Sequence, residues 1–337
     1  SDVIPLYTVK PLAGMQNTLE AIGSNAQVKL IVVDEENGNL SEAVAAAKSA
    51  DAVVIMAGTL SEEGKDRRGI SLDDGDLRHI RDEKYINTNQ VAMISAIAGA
   101  NPDKTALVLK DNASSLLPFI DSIPAVLEVW FPGQEDGNIV ANLLMGVVNP
   151  SGKLPVTFPK EKGEWPANTP VQFPGVKINE TPTVVYSEGL NIGYRWYDAK
   201  GVEPRFAFGY GLSYTDFSIS NLSVSPKVSD GSVPITVTAE VTNTGDRVGA
   251  EVVQVYVSMP SWLNQPPKRL IGFEKVALKP SEKQTVSIVV DPKASNHPLS
   301  TWNVAKQEWV TSAGEYILKV GNSSDALKLE KPITIVD

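Results

Sequence analysis

The chain has 337 residues, of which 42% are hydrophobic, 21% charged and 7% aromatic, and it contains no cysteine. This length predicts two domains or three short ones, and the composition is that of an ordinary globular protein. The net charge of −10 and the lack of any long apolar run argue against nucleic acid and membranes as partners. With no cysteine and only two histidines, His79 and His297, thiolate or zinc sites and histidine-based triads are not expected. Carboxylates are therefore the side chains best suited to carry chemistry.

The first 160 residues alternate between helical and strand patterns. Helices are predicted over 41–50, 88–98 and 134–146, with a short one near 114–121, and strands over 51–58, 105–110 and 125–130. Strands alternating with helices imply right-handed crossovers and a mainly parallel sheet, so residues 1–160 are predicted to form an α/β sandwich domain. In such sheets, functional residues lie on the loops after the carboxyl ends of the strands.

Two further regions follow this domain. Prolines and aromatic residues are interleaved between 149 and 214, which predicts an ordered, irregular connection over 161–216 that packs against both domains. From 217 to 337, short runs rich in β-branched residues alternate with turn signals. This pattern predicts an all-β immunoglobulin- or fibronectin type III-like sandwich with no helix longer than two turns.

The most unusual segment is GTLSEEGKDRRGISL, residues 58–72, which directly follows a predicted buried strand. The adjacent Glu62 and Glu63 allow one carboxylate to point into a cleft while the other faces water, and Gly64 and Gly69 allow the backbone to move. Three cations could pair with a carboxylate or with substrate oxygens: Lys65, Arg67 and Arg68. From composition, the segment is either an active-site loop or a solvated surface loop whose charges cancel, and the second interpretation is favoured.

The stretch GTLSEEGKDR (58–67) resembles the acid/base loop of glycoside hydrolase family 3, in which a glutamate precedes Gly-x-Asp-Arg. Further stretches resemble later signatures of that family in the same order: AVLEVWFPGQEDGNIVANLLMGVVNPSGKLPVTFP (125–159), YSEGLNIGYRWYD (186–198), FAFGYGLSYTDF (206–217) and VTNTGDRVGAEVVQVYV (241–257). The resemblance therefore extends over most of the chain.

The resemblance implies a retaining, exo-acting β-glycosidase, above all a β-glucosidase, in which an N-terminal TIM barrel supplies the aspartate nucleophile and most sugar contacts. The second domain of such enzymes supplies the acid/base glutamate. Glu63 matches that position here, with Glu62 as the alternative if the alignment slips by one residue. Asp66 and Arg67 match the Asp-Arg that follows and are expected to hold the loop. Lys65 stands where an aromatic residue is common, so it is given no stacking role.

The barrel is the part of such an enzyme that these residues do not contain. No stretch has the βα repeat of a TIM barrel, which needs about 250 residues, and Ser229-Asp230-Gly231 is expected to be a turn rather than the barrel's Ser-Asp-Trp nucleophile motif. We expect the chain to be the C-terminal part of a longer enzyme and inactive alone. Its expected partners are that barrel and a β-linked glucoside or oligosaccharide, with no cofactor, metal, nucleic acid or membrane. A secreted or periplasmic location is favoured over a cytoplasmic one.

Two alternatives stay open. Trp130, at the end of a predicted strand, could stack on a sugar, although a packing role is favoured for it. The chain as a whole could instead be a non-catalytic carbohydrate-binding or structural module. Residues that bind the substrate are not assigned, because the main sugar contacts are expected in the barrel.

Overall fold

The computed structural model of the chain describes residues 4–34, 37–59, 61, 67, 69–74 and 89–337. The chain divides into two compact units, Ser1–Val148 and Asn149–Asp337. No helix within the described ranges is long and apolar enough to span a membrane. The three-part division at residues 160 and 216 stays a prediction.

The first unit combines helices with a three-stranded sheet. In chain order it contains helix α1 (Pro11–Ala21), helix α2 (Leu40–Ser49), strand β1 (Val53–Gly58), helix α3 (Gln90–Ala100), strand β2 (Thr105–Lys110), strand β3 (Ala125–Glu128) and helix α4 (Asp136–Leu144). The sheet order is β1-β2-β3, and both strand pairs are parallel. The predicted α/β fold with a parallel sheet is confirmed.

The central strand β2 is buried on both faces. Its consecutive residues Leu107, Val108 and Leu109 are all buried. Because consecutive strand residues point to opposite faces of a sheet, this burial means that both faces of β2 are covered. A continuous apolar run is typical of a strand in that position.

Helix α1 is an element that the sequence patterns do not predict. Its buried positions are Gly14, Met15 and Thr18, so its inner face has no apolar stripe for periodicity to detect. A Cβ atom at Gly14 would lie 2.1 Å from the carbonyl carbon of Gly137 in α4, and one at Gly137 would lie 2.3 Å from the carbonyl oxygen of Lys10. Glycine at both positions lets the two backbones approach this closely.

The prediction of a short helix near 114–121 is wrong. Only a 3-10 turn, Ile120–Ser122, forms there, because Pro118 lacks an N–H group and disfavours a helical conformation at the residue before it. The segment is instead extended at Leu116, which forms a parallel bridge with Ser71.

The second unit is mainly β. In chain order it contains β4 (Val176–Ile178), β5 (Thr181–Thr183), helix α5 (Tyr194–Lys200), β6 (Phe217–Ser225), β7 (Val228–Ser229), β8 (Ile235–Asn243), β9 (Gly249–Ser258), β10 (Arg269–Leu278), β11 (Lys283–Val290), β12 (Thr301–Asn303), β13 (Glu308–Val310), β14 (Gly314–Gly321) and β15 (Leu329–Ile335). A five-stranded sheet of order β10-β9-β14-β15-β7 and a three-stranded sheet of order β11-β8-β6 form its two layers.

The two layers enclose one apolar core. Alternate residues of β8 are buried, and those from Ile235 to Val241 share a core with Val253, Val255 and Val257 of β9. All of 217–337 is described, and the only helical element there is the 3-10 turn Ser261–Leu263. The predicted β-sandwich is confirmed.

Residues in the predicted connection over 161–216 differ in their burial within the second unit, and the packing of this connection against both domains stays a prediction. In α5, the Tyr194 ring stacks on Phe208 at 4.9 Å between centroids, and its hydroxyl accepts the Leu270 N–H at 2.8 Å. Upstream, Tyr186 is 80% exposed and Leu190 57% exposed. Among the described strands, β4 and β5 pair only with each other and belong to neither sandwich sheet.

Candidate functional site

Polar residues follow all three strands of the first unit at one edge of its sheet. Thr59 follows β1, Asp111 and Asn112 follow β2, and Glu128 ends β3. The register pairs Gly58 with Lys110 and Leu109 with Glu128, so these positions are neighbours. Because parallel strands end at the same edge, this carboxyl edge is where a functional site is expected in such a sheet.

The loop after β1 comes back to the edge of the sheet at Arg67 and residues 69–74, here called the return segment. The side chain of Gln90, the first residue of α3, joins the start of this loop to the return segment. Its Oε1 atom accepts the Gly58 N–H at 2.9 Å, and its Nε2 atom donates to the Gly58 carbonyl at 2.8 Å and to the Leu72 carbonyl at 3.0 Å. Gly58 itself has no room for a side chain, since a Cβ atom would lie 2.3 Å from the Lys110 carbonyl oxygen. The end of β1 is therefore fixed on both sides.

The loop returns to the same edge at Arg67, whose side chain is buried. Its guanidinium donates to the Ser114 carbonyl at 3.3 Å and to the Ser115 hydroxyl and the Ser71 carbonyl at 3.4 Å each. The Leu116 N–H donates to the Ile70 carbonyl at 2.8 Å. The segment after Arg67 is thus attached to the loop that follows β2.

The predicted acid/base residue Glu63 and its alternative Glu62 lie outside the described residues, as do Gly64, Lys65, Asp66, Arg68 and His79. Arg67 is described, and its contacts agree with the expectation that it holds the loop. His297 lies in the second unit, where its ring stacks on Trp309 at 4.4 Å. Among the described residues, no group of three or more potential ligands could hold a metal ion.

Two carboxyl groups at the carboxyl edge have raised pKa values: those of Asp111, which is buried, and of Glu128, which is half-buried. Burial raises the pKa of Asp111 to about 6, an effect that Ser115, the Arg67 charge and the Thr59 backbone N–H only partly offset. Burial likewise raises the pKa of Glu128 to about 8; the Trp130 N–H lowers it and the Asp111 charge raises it further. Within the described part of the chain, neither Asp111 oxygen nor Oε2 of Glu128 accepts a hydrogen bond of normal geometry. Buried carboxylates so poorly partnered are costly, and they cluster at functional sites.

Trp130 has a left-handed backbone conformation, with φ of 52°, which ends β3 two residues before the predicted position. Its N–H donates to Oε1 of Glu128 at 2.8 Å, which supports this turn. The Trp130 side chain is half-buried, a state compatible with either packing or sugar stacking, while Phe131 after it is 61% exposed.

Sequence reasoning missed Gln90, Asp111 and Glu128 as site residues. Asp111 directly follows the strand predicted over 105–110, and that position was an available signal. Glu128 lies inside the strand predicted over 125–130, so its place at a strand end was not evident. Gln90 had no such signal, because its partner Gly58 is 32 residues away in the chain.

A parallel α/β unit with an anchored loop at its carboxyl edge, followed by a β-sandwich, is the architecture expected of the C-terminal domains of a multidomain glycoside hydrolase. Residues 1–214 match the profile of the glycosyl hydrolase family 3 C-terminal domain, and residues 251–324 match that of the fibronectin type III-like domain. The chain belongs to glycosyl hydrolase family 3, which confirms the resemblance identified from its motifs.

Known relatives are longer β-glucosidases. Thermostable beta-glucosidase B of Acetivibrio thermocellus is 38% identical over 308 residues, which are 90% of this chain and 37% of that protein. The structure of β-glucosidase 3B from Thermotoga neapolitana in complex with α-D-glucose is 31% identical with a TM-score of 0.81, over 100% of this chain and 47% of that one. DesR, a β-glucosidase from Streptomyces venezuelae solved in complex with D-glucose, is 36% identical with a TM-score of 0.76, over 88% of this chain and 35% of that one. The chain spans about a third of the length of the curated relatives it matches.

Proposed function

We propose that this chain is the C-terminal part of a retaining, exo-acting β-glucosidase and that it supplies the general acid/base, Glu63. A TIM barrel outside these residues supplies the nucleophile and most contacts to a β-linked glucoside or oligosaccharide. The names and lengths of the relatives support this division, since they are β-glucosidases that extend well beyond the matched region.

The observation that carries the proposal is the anchoring of the loop at both ends. Thr59, at its start, accepts the Asn112 N–H at 2.9 Å through its hydroxyl, and Arg67, at its return, is held by the serines after β2. Glu63 is four residues along the chain from each of these anchors. A loop fixed at the carboxyl edge of a parallel sheet is a suitable carrier for a catalytic side chain.

The proposed chemistry requires two carboxyl groups about 5–5.5 Å apart across the glycosidic bond. The nucleophile of the barrel attacks the anomeric carbon while protonated Glu63 donates its proton to the leaving oxygen. In the second step, ionised Glu63 removes a proton from water, which attacks the anomeric carbon and releases the nucleophile. The ionised nucleophile keeps the pKa of the acid raised until the covalent intermediate neutralises that charge.

This division of labour makes the chain inactive by itself, because it holds only one of the two carboxyl groups. Specificity for the sugar follows the contacts of the barrel. The mechanism uses no cofactor, since proton transfer and covalent catalysis by carboxylates account for both steps.

The test compares Glu63→Gln with Glu62→Gln in the full-length enzyme. We expect Glu63→Gln to slow hydrolysis of an alkyl glucoside far more than formation of the glycosyl-enzyme from an aryl glucoside with an acidic phenol, which needs little protonation. Glu62→Gln should leave both rates near those of the wild type. The reverse pattern would assign the role to Glu62, and two unimpaired variants would remove the acid from this loop.

A further inference from the structure

We propose that Asp111 is a positioning residue for the acid/base loop: its buried carboxylate holds the Arg67 guanidinium at the carboxyl edge and thereby fixes the end of the segment that carries Glu63. This inference rests on the proposed function and adds to it a residue from a different strand end. Asp111 does not touch the substrate in this account; it acts through Arg67.

The Arg67 guanidinium needs a negative charge nearby. Arg67 is only 8% exposed, and arginine stays charged in proteins. Its hydrogen-bond acceptors are neutral and long, at 3.3–3.4 Å. Burying a guanidinium against neutral groups alone is unfavourable, so a counter-charge is required to keep it there.

Asp111 fits the role of counter-charge to Arg67 better than the other carboxylate in range. Within the described part of the chain, Asp111 and Asp74 are the two carboxylates that raise the pKa of Arg67. Asp74 already accepts the Ser71 N–H at 3.0 Å and is only partly buried. Asp111 is fully buried, and neither of its oxygens accepts a hydrogen bond of normal geometry from the described residues. It also belongs to the loop whose Ser114 and Ser115 accept hydrogen bonds from Arg67.

The Asp111 carboxylate and the neutral acceptors of Arg67 belong to one loop. Asp111 directly follows β2, and Ser114 and Ser115 lie three and four residues further on. Leu116, next in the chain, donates its N–H to Ile70 on the return segment at 2.8 Å. The loop after β2 therefore presents a carboxylate, two serine acceptors and a backbone donor to the return segment of the acid/base loop.

The effect of Asp111 should appear as a loss of acid catalysis rather than of substrate binding. If the loop end is released, Glu63 protonates the leaving oxygen less well, so rates depend more steeply on the acidity of the leaving group. Replacing a residue that supported only the stability of the unit would lower the hydrolysis rates of all substrates alike.

The experiment measures kcat and KM of the full-length enzyme for an alkyl glucoside and for an aryl glucoside with an acidic phenol. The variants are Asp111→Asn, Arg67→Met, the double variant, and Asp103→Asn, an exposed aspartate at the opposite end of β2, as the matched control. Asp111→Ser serves the same purpose if the asparagine variant does not fold. Hydrogen exchange of the Leu116 amide reports the attachment of the loop independently of catalysis.

We expect Asp111→Asn to lower kcat for the alkyl glucoside about tenfold, a part of the 10²–10⁴-fold that acid–base catalysis supplies, with less than about a threefold change for the aryl glucoside. The double variant should be no worse than Arg67→Met, since Asp111 acts only through Arg67 in this account. Exchange at Leu116 should be faster. Equal losses on both substrates, additive effects or unchanged exchange would overturn the inference. If Glu63→Gln keeps full acid catalysis, the proposed function fails; if Glu63→Gln behaves as proposed and Asp111→Asn matches Asp103→Asn, only the role of Asp111 fails.

Discussion

Thr59 and Asn112 exchange two hydrogen bonds across the carboxyl ends of neighbouring parallel strands. The Thr59 hydroxyl donates to Oδ1 of Asn112 at 2.9 Å and accepts the Asn112 backbone N–H at 2.9 Å, while the Thr59 N–H donates to the Lys110 carbonyl at 3.2 Å. One side chain therefore satisfies both a donor and an acceptor where the loop after β1 leaves the sheet.

The first prediction concerns the loss of the Thr59 hydroxyl. Thr59→Val keeps the shape of the side chain but leaves the Asn112 N–H and Oδ1 without their partner, so the unfolding free energy of the first unit should fall by about 1–3 kcal/mol. Thr59→Ser, which keeps the hydroxyl, is the control and should lose less. Urea unfolding measures both, and a valine variant as stable as the wild type would contradict the structural role of this pair.

The second prediction compares the effects on stability of alanine substitutions at two glycines inside helices. Gly137→Ala should destabilise the first unit by roughly 1–3 kcal/mol, because the added methyl group would meet the Lys10 carbonyl at 2.3 Å. Gly99→Ala in α3 should instead stabilise it by about 0.5–1 kcal/mol, because no atom of the described residues outside the helix backbone lies within 4 Å of the new methyl group and alanine favours the helix. Thermal unfolding of the two variants should therefore shift in opposite directions, and shifts of the same sign would argue against the close crossing of α1 and α4.

The third prediction concerns the pH dependence of stability. The pKa of Glu128 is raised to about 8 in the folded protein, against about 4.3 in an unfolded chain. The folded state therefore holds the proton of Glu128 more tightly. The contribution of Glu128 to the unfolding free energy is fully present below about pH 4 and is lost as the pH rises through the folded pKa. The loss is roughly 1.4 kcal/mol for each unit of pKa difference.

Glu128→Gln should remove this contribution while its Oε1 atom still accepts the Trp130 N–H. The pKa of Asp111 is raised only to about 6, so Asp111 contributes less than Glu128 to the change in unfolding free energy between pH 6 and 8. Urea unfolding across that interval should give a flatter dependence for the glutamine variant than for the wild type. Parallel curves would show that Glu128 ionises normally in the folded protein.

Much of the first unit follows from local sequence patterns. The apolar runs that form β1 and β2 and the alanine-rich stretch that forms α2 have distinct periodicities, and their ends are predicted to within about two residues. Helix α1 could not be predicted in this way, because Met15 is the only large apolar residue at its buried positions, beside Gly14 and Thr18. Its stability comes from contact with α4, which lies more than 110 residues further along the chain.

The candidate site was predictable in location but not in its supporting contacts. The rule that function lies after strand ends indicated the loop after β1, and the Asp-Arg motif indicated Arg67. The links from Gln90 to Gly58 and from Arg67 to Ser115 join residues 32 and 48 positions apart. Such contacts arise from the tertiary arrangement of the strands, so no local pattern encodes them.

The central claim is that Glu63 is the acid/base of a retaining β-glucosidase. The most direct test is hydrolysis of an activated aryl β-glucoside by the full-length Glu63→Gln variant, with and without azide. Glutamine cannot activate water, so the glycosyl-enzyme should accumulate, and azide, which needs no base, should restore turnover. Because azide attacks that intermediate, the product should be the glucosyl azide of retained β configuration. No rescue by azide, or a product of inverted configuration, would contradict the role assigned to Glu63.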